Sequence, residues 1–200
     1  MCPFLSFRSL HGWCMTFASL GVTTTAFGVL YSFGIFFKFW LHEWGCTRAF
    51  LSGVFSLAFL IYGLASVLMG SLTDRYGPRK TVAGGGLLMG AGALITSQIQ
   101  EAWALYITFG LMIGIGVGTS YSPTVSTISR WFGERKGVPV GIVVSGLGLG
   151  TLVYCPLART MVDSFGWRVT YIIFGIIILS VYLAAAYVLG RGRDGKRSSL

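Results

Sequence analysis

Gly70-Ser71-Leu72-Thr73-Asp74-Arg75-Tyr76-Gly77-Pro78-Arg79-Lys80 holds one acid, three bases, two glycines and a proline, and its charges separate two stretches without formal charge, Ala49 to Thr73 and Thr81 to Gln100. Gly77 can take a positive φ and close a helix, while Pro78 cannot continue that helix but fits the first position of the next. The stretch reads as a short, rigid turn between two long apolar helices.

Beyond these two, four more charge-free windows appear: Ser9 to Phe37, Ala102 to Ser129, Gly137 to Ala158 and Val169 to Gly190. About 20 apolar residues in a helix cross a hydrocarbon core of ~30 Å, so each of the six windows is long enough for one span. The composition agrees, with 54% hydrophobic and only 10% charged residues among 200. Soluble domains carry roughly 25% charged residues, which excludes an ordinary water-soluble enzyme. The expected class is an all-α membrane protein. A six-helix transmembrane bundle occupies residues 1–190, with spans near 13–37, 50–73, 81–99, 103–128, 138–158 and 169–189. Residues 191–200 form a polar tail or the start of a central linker. The first window is too long for a secretory signal and further spans follow it.

A second copy of the turn lies 89 residues on. Asp74-Arg75-Tyr76-Gly77-Pro78-Arg79 and Asp163-Ser164-Phe165-Gly166-Trp167-Arg168 both spell Asp-x-aromatic-Gly-x-Arg. Three spans separate the copies, so they face opposite sides of the membrane, as in an inverted 3+3 repeat.

The net charge of +9 is distributed unevenly. One set of loops and ends holds Arg8, Arg75, Arg79, Lys80, Arg130, Arg135, Lys136, Arg191, Arg193, Lys196 and Arg197; the other holds Lys38, Arg48, Arg159 and Arg168. Acidic residues divide equally, so the bias is in Lys and Arg alone, and it places both termini in the cytoplasm of a multi-pass cell-membrane protein. The basic loops meet anionic lipid headgroups and need no nucleic-acid partner. Trp13, Trp40, Trp44, Trp103, Trp131 and Trp167 all fall near window ends and are expected to anchor them at headgroup depth.

Catalytic chemistry finds no support. The only histidines, His11 and His42, have no paired carboxylates, and Cys2, Cys14, Cys46 and Cys155 lack CxxC spacing and read as buried free thiols. His42-Glu43 with Cys46 offers three mixed ligands and no fourth, so no metal is expected. No cofactor box is present, and the protein is not expected to be an enzyme. The 29 glycines crowd spans 3 to 5. Gly114, Gly116 and Gly118, like Gly146, Gly148 and Gly150, recur at spacing two, unlike a phosphate-binding loop. Gly114, Gly118, Gly146 and Gly150 are read as helix-packing positions.

With these motifs in place, the sequence resembles the major facilitator superfamily, whose halves are each built as an inverted 3+3 repeat. The stretch Gly70 to Lys80 is similar to that superfamily's signature between helices 2 and 3. The narrower resemblance is to the monocarboxylate porter and oxalate/formate antiporter branch. It rests on Gly12-Trp13, on Tyr31-Ser32-Phe33-Gly34-Ile35-Phe36-Phe37-Lys38, on Arg130-Trp131-Phe132-Gly133-Glu134-Arg135-Lys136-Gly137, on Pro123 and Pro156, and on Gly166-Trp167-Arg168. It covers nearly the whole chain but only the amino-terminal half of a twelve-helix carrier.

The departures carry information too. No cation stands near Gly110, where drug/proton antiporters carry an arginine, and Tyr31 stands where animal monocarboxylate porters carry a coupling lysine. The resemblance implies a secondary active carrier of a small organic anion, a monocarboxylate or dicarboxylate, working by alternating access with a second six-helix half and no cofactor. The alternative is a half-size membrane protein that acts only with a partner half.

Candidate residues follow. Gly70, Asp74, Arg75, Gly77, Arg79 and Lys80 form a candidate cytoplasmic gating loop, in which Asp74 is expected to bond a neighbouring base or a helix N-terminus; Arg79 and Lys80 fit equally well as residues snorkelling to headgroups. The resemblance implies that helices 1 and 4 line the cavity. Thr24, Phe27 and Tyr31 share one face of the first span, and Tyr121 and Ser122 lie in the cytoplasmic half of the fourth. Their hydroxyls can bind a carboxylate or bond a helix backbone. Lys38 reads as an interfacial snorkelling residue ahead of a substrate ligand.

Overall fold

A computed structural model describes the backbone of residues 7–197 and the side chains of residues 12–190. Cys2 and the side chains of Arg8, His11, Arg191, Arg193, Lys196 and Arg197 lie outside the described residues. The chain is helical nearly throughout, with no strand among the described residues.

Helix α1 spans Phe7–Trp44, α2 spans Arg48–Tyr76 and α3 spans Pro78–Thr96. A π-helical stretch, Tyr106–Ile113, runs directly into α4, Gly114–Phe132. A single 3-10 turn, Gly133–Arg135, then leads to the helical run α5, Gly137–Arg197. By length and composition, Gly12–Trp44, Arg48–Tyr76 and Gly137–Gly190 can each cross a membrane.

The last of these is not straight. Gly166 leaves the helical region at φ 79°, ψ 164° and divides α5 into two arms, 137–165 and 167–197. The arms lie side by side, because the Tyr154 and Phe174 rings are 5.5 Å apart, whereas 20 residues of continuous helix would separate them by about 30 Å.

Several boundaries differ from the expected ones. Helix α1 continues past Lys38 to Trp44 and leaves only Gly45-Cys46-Thr47 before α2. Thr47 caps α2 by accepting the Phe50 N–H at 3.2 Å. Where a polar, flexible tail is expected from residue 191, the helix runs on to Arg197. Basic residues in a last turn complement the negative end of the helix dipole.

Lipid tails are as apolar as leucine, so little hydrophobic force drives one membrane helix onto another, and association depends on close packing and interhelical hydrogen bonds. The first arm of α5 crosses α1 at Gly146 and Gly150. A Cβ on Gly146 would run into Thr23 Oγ1, and one on Gly150 would meet the Thr24 carbonyl and the Gly28 nitrogen. Thr23 also donates to the Val143 carbonyl at 2.9 Å. Helices α2 and α4 meet in the same way. Gly114 faces the Ala58 carbonyl, 2.9 Å from where its Cβ would be, and Gly118 faces the Ser66 nitrogen at 3.0 Å. On α3, Gly86 receives the Tyr182 ring of the second arm.

Tyr154 donates a buried hydrogen bond to Thr25 Oγ1 at 3.0 Å, stitching α5 to α1. Tyr154→Phe should lower stability by about 1 kcal/mol, the net contribution of one such bond. Thermal melting in detergent reads the loss, and an unchanged melting temperature would show the bond to be idle.

Two tryptophans depart from the anchoring role. Trp40 is fully buried and Trp167 nearly so, stacked into a cluster in which Trp40 lies 6.0 Å from Trp167 and 5.8 Å from Tyr171. The α1 extension beyond Lys38 carries Trp40 and Trp44 against the second arm of α5, so their rings meet protein. Trp103, in contrast, is 58% exposed. Cys14 is exposed and Cys46 and Cys155 are half-buried, all three unbridged, so they are not the buried thiols expected.

Candidate functional site

The candidate gating turn is as short as its chemistry predicts. Asp74, Arg75 and Tyr76 are still helical, and Gly77 alone joins α2 to α3 at φ 89°, ψ 155°. Its N–H bonds the Thr73 carbonyl at 2.9 Å, and Thr81 one turn later returns its hydroxyl to the Gly77 carbonyl at 3.1 Å.

The partner of Asp74 is neither a neighbouring base nor a helix N-terminus. Arg130 at the end of α4 bonds Asp74 Oδ1 at 2.6 Å. Arg75, still within α2, lies over the Tyr76 ring at 5.7 Å, while the packing of α2 on α4 brings Arg130 into reach. Both members of the pair are more than half exposed, so it contributes at most about 1 kcal/mol to stability; its value is positional. Arg79 lies along Gly190 of α5, its Nε 3.1 Å from where a Cβ there would be. Lys80 is exposed. Neither forms an ion pair among the described residues. Gly70 meets Ser122, whose Oγ lies 3.1 Å from where its Cβ would be, so a gating candidate and a cavity candidate are in contact.

The second copy of the turn shares this geometry. Gly166 adopts φ 79°, ψ 164°, close to Gly77, and Thr170 donates to the Gly166 carbonyl at 2.9 Å, as Thr81 does to that of Gly77. The ion pairs correspond with their signs exchanged. In the first copy the turn supplies the acid and the end of α4 the base. In the second, Arg168 bonds Glu43 at the end of α1 at 2.7 Å, while Trp167 Nε1 donates to the other Glu43 oxygen. Arg168 also stacks over Trp167 at 4.3 Å, and Asp163 pairs locally with Arg159 at 2.8 Å. Sequence reasoning missed Arg130 and Glu43 as partners. The one signal available was that the 89-residue offset also relates Thr81 to Thr170.

An aromatic cluster forms where α1, α2 and α4 meet. Phe27 is buried at its centre, its ring 6.1 Å from Tyr31, 5.6 Å from Tyr62 and 6.1 Å from Tyr121. Phe59 closes the side, 6.1 Å from Tyr31 and 6.3 Å from Tyr62. Tyr31 is 36% exposed, and Tyr62 and Tyr121 are half-buried. The structure thus assembles Phe27, Tyr31 and Tyr121 from the expected set and adds Tyr62 and Phe59, which apolar surroundings in the sequence had hidden. Thr24 lies one turn from Phe27 on α1, its carbonyl against Gly150. Ser122 is half-buried beside Tyr121 in the chain. Among the described residues no group of three or more His, Cys, Asp or Glu side chains is placed to hold a metal.

A family model described as Major Facilitator Superfamily matches residues 12–199. Monocarboxylate transporter 13 of Bos taurus is 29% identical over 180 residues, which cover 90% of this chain and 42% of the relative. Monocarboxylate transporter 11 of Homo sapiens is 28% identical over 178 residues, 89% of this chain and 38% of its own length. Monocarboxylate transporter 7 of Homo sapiens is 25% identical over 175 residues, with 88% and 34% covered. The chain therefore spans less than half the length of the curated relatives it matches.

Proposed function

The chain belongs to the Major Facilitator Superfamily, and on that basis we propose that it forms the amino-terminal six-helix half of a secondary carrier that moves a small organic anion, a monocarboxylate or dicarboxylate, by alternating access. The two arms of α5 count as the fifth and sixth spans, arranged with the others as an inverted 3+3 repeat in a cell membrane, both termini cytoplasmic. The observation that carries this is the pair of turns at Gly77 and Gly166, equal in backbone shape, 89 residues apart and each tied by an ion pair to the end of another helix.

Alternating access needs each half to rock as a rigid body. A one-glycine turn pinned by Asp74 and Arg130 makes α2, α3 and α4 move together at the cytoplasmic end. The glycine-lined seams keep helix spacing small, so the motion is transmitted rather than absorbed. Arg79 and Lys80, without acidic partners among the described residues, are free to meet an acid or a headgroup as the gate closes.

A second reading also has an observation in its favour. Helix α2 exposes Leu60, Leu64, Val67 and Leu68, and the first arm of α5 exposes Leu152 and Val153, at 52–73% each. Apolar faces this broad suit lipid or a second six-helix half. On that reading the chain acts only with a partner half.

Uptake of radiolabelled carboxylates into proteoliposomes separates the two, comparing this chain alone with this chain reconstituted beside a second half. Uptake by either preparation is expected to fall at least tenfold with Asp74→Asn, while the melting temperature in detergent moves little because the ion pair is exposed. Activity of the variant equal to the parent's would remove Asp74 from the gate. No uptake from either preparation would overturn the carrier reading.

A further inference from the structure

Helix α3 and the second arm of α5 run antiparallel along a close seam. A Cβ on Gly86 would run into Tyr182, one on Gly90 into Leu179, one on Gly175 into Leu94 and one on Gly190 into the stem of Arg79, so one index falls as the other rises. In an antiparallel pair of right-handed helices, the residue after each contact turns by about 100° to the same side of the seam. On that side Leu87 and Leu183 are each about half exposed, and so is Tyr187 one turn beyond Leu183; Lys80 is exposed at the inner end. Arg79 crosses the seam there, its Nη1 3.3 Å from where a Gly190 Cβ would be. Neither cation forms an ion pair among the described residues.

We propose that this side of the seam binds one anionic phospholipid, its phosphate held by Arg79 and Lys80 and its acyl chains lying along Leu87, Leu183 and Tyr187. The site is independent of what the protein transports.

Charge and depth together select this occupant. Asp74, the nearest acid in the chain, is already bonded to Arg130 where α2 meets α4, so it leaves Arg79 and Lys80 uncompensated. A guanidinium offers a planar fork for two phosphate oxygens, and the lysine adds a mobile point charge. Basic pockets between membrane helices on the cytoplasmic side are where anionic headgroups lodge. Along α3, the rise from Lys80 to Ala91 is about 16 Å, about half of the ~30 Å hydrocarbon core and therefore the depth of one leaflet. Over that depth the exposed side of the seam is apolar, with Gly84 and Leu87 on α3 and Leu183 and Ala184 on the arm. The glycines hold the two helices close enough to leave a shallow groove that an acyl chain can follow. Gly190 lets the Arg79 stem lie across the arm, which ties the cation to the head of that groove. A general attraction of basic loops to the leaflet would be shared with Arg135 and Lys136; this geometry singles out Arg79 and Lys80.

Native mass spectrometry of the purified chain, titrated with phosphatidylserine or with phosphatidylcholine of identical acyl chains, reads the site; melting in the same mixtures is the second measure. The parent should hold one phosphatidylserine about tenfold more tightly than phosphatidylcholine, the order that two interfacial cations supply, and should melt at a higher temperature with it. Arg79→Gln combined with Lys80→Gln should abolish the preference. Arg135→Gln combined with Lys136→Gln removes the same charge from the loop after α4 and should leave the preference in place. Gly190→Ala alters no charge and displaces only the flexible end of Arg79, so the fold should stand while phosphatidylserine affinity falls several-fold. Neither inorganic phosphate nor glycerophosphoserine, the headgroup without its chains, should displace the lipid. Variants eluting as a single species of the parent's size keep misfolding from imitating these losses. Equal losses from the two double variants would reduce the effect to bulk charge and overturn the site. So would a parent that does not distinguish the two lipids, or a Gly190→Ala variant that binds as the parent does. Displacement by inorganic phosphate overturns it too, since the site would then serve a free anion. No readout involves transport, so the carrier reading is tested separately.

Discussion

Gly150→Leu is expected to destabilise the bundle by about 3 kcal/mol, the upper end of the usual range for overpacking. The reason is what a side chain there would strike. Its Cβ would run into the Thr24 carbonyl and approach the Gly28 nitrogen to 2.8 Å, and both obstacles are backbone. A clash with a flexible side chain is relieved by a rotamer change, but this one requires α1 and the first arm of α5 to separate. Separation would also stretch the bond from Thr23 to the Val143 carbonyl and the one from Tyr154 to Thr25. The control lies two residues away. A Cβ on Gly148 would meet nothing within 4 Å, so Gly148→Leu should be neutral or slightly stabilising, since leucine forms helix better than glycine. Thermal melting of both variants in detergent decides the matter: if Gly150→Leu melts with the parent, the close α1–α5 crossing is wrong.

Gly77→Ala and Gly166→Ala should each lower stability by about 1–3 kcal/mol, and by similar amounts. At φ 89°, ψ 155° and φ 79°, ψ 164° both residues occupy a region that is essentially glycine's alone, and residues held there against preference incur strain of that order. Crowding is not the cause at Gly166, where a Cβ would meet nothing within 4 Å, so alanine there isolates the backbone term. The effect of Gly77→Ala should extend to uptake, because the turn orients Asp74 toward Arg130. A large loss at one glycine with none at the other would break the equivalence of the two turns on which the inverted repeat rests. Melting curves of the single and double variants supply the comparison, and losses at sites this far apart should add.

Much of this protein follows from local chemistry. The scarcity of charge over 20-residue windows selects lipid as the solvent, and in lipid a helix is the economical way to satisfy every backbone donor and acceptor within one segment. A glycine before a proline ends one helix and opens the next, so the turn at Gly77 is written in two adjacent residues. The likeness of the Gly166 turn was readable in the same way.

Packing settled the contacts between residues far apart in the chain. Asp74 has three basic residues within six positions, yet it pairs with Arg130, because α2 holds it on the side where α4 arrives. Trp40 has the sequence context of a headgroup anchor but is buried, because α1 outruns its apolar window and is covered there by the second arm of α5. Tyr62 and Phe59 look like ordinary span residues until packing turns them toward Phe27. The physical reason is common to all three. Hydropathy and turn chemistry act over a few residues and specify where each helix begins and ends, whereas the side of a helix that meets a neighbour depends on which small residues let two backbones approach, and that is fixed only when the helices come together.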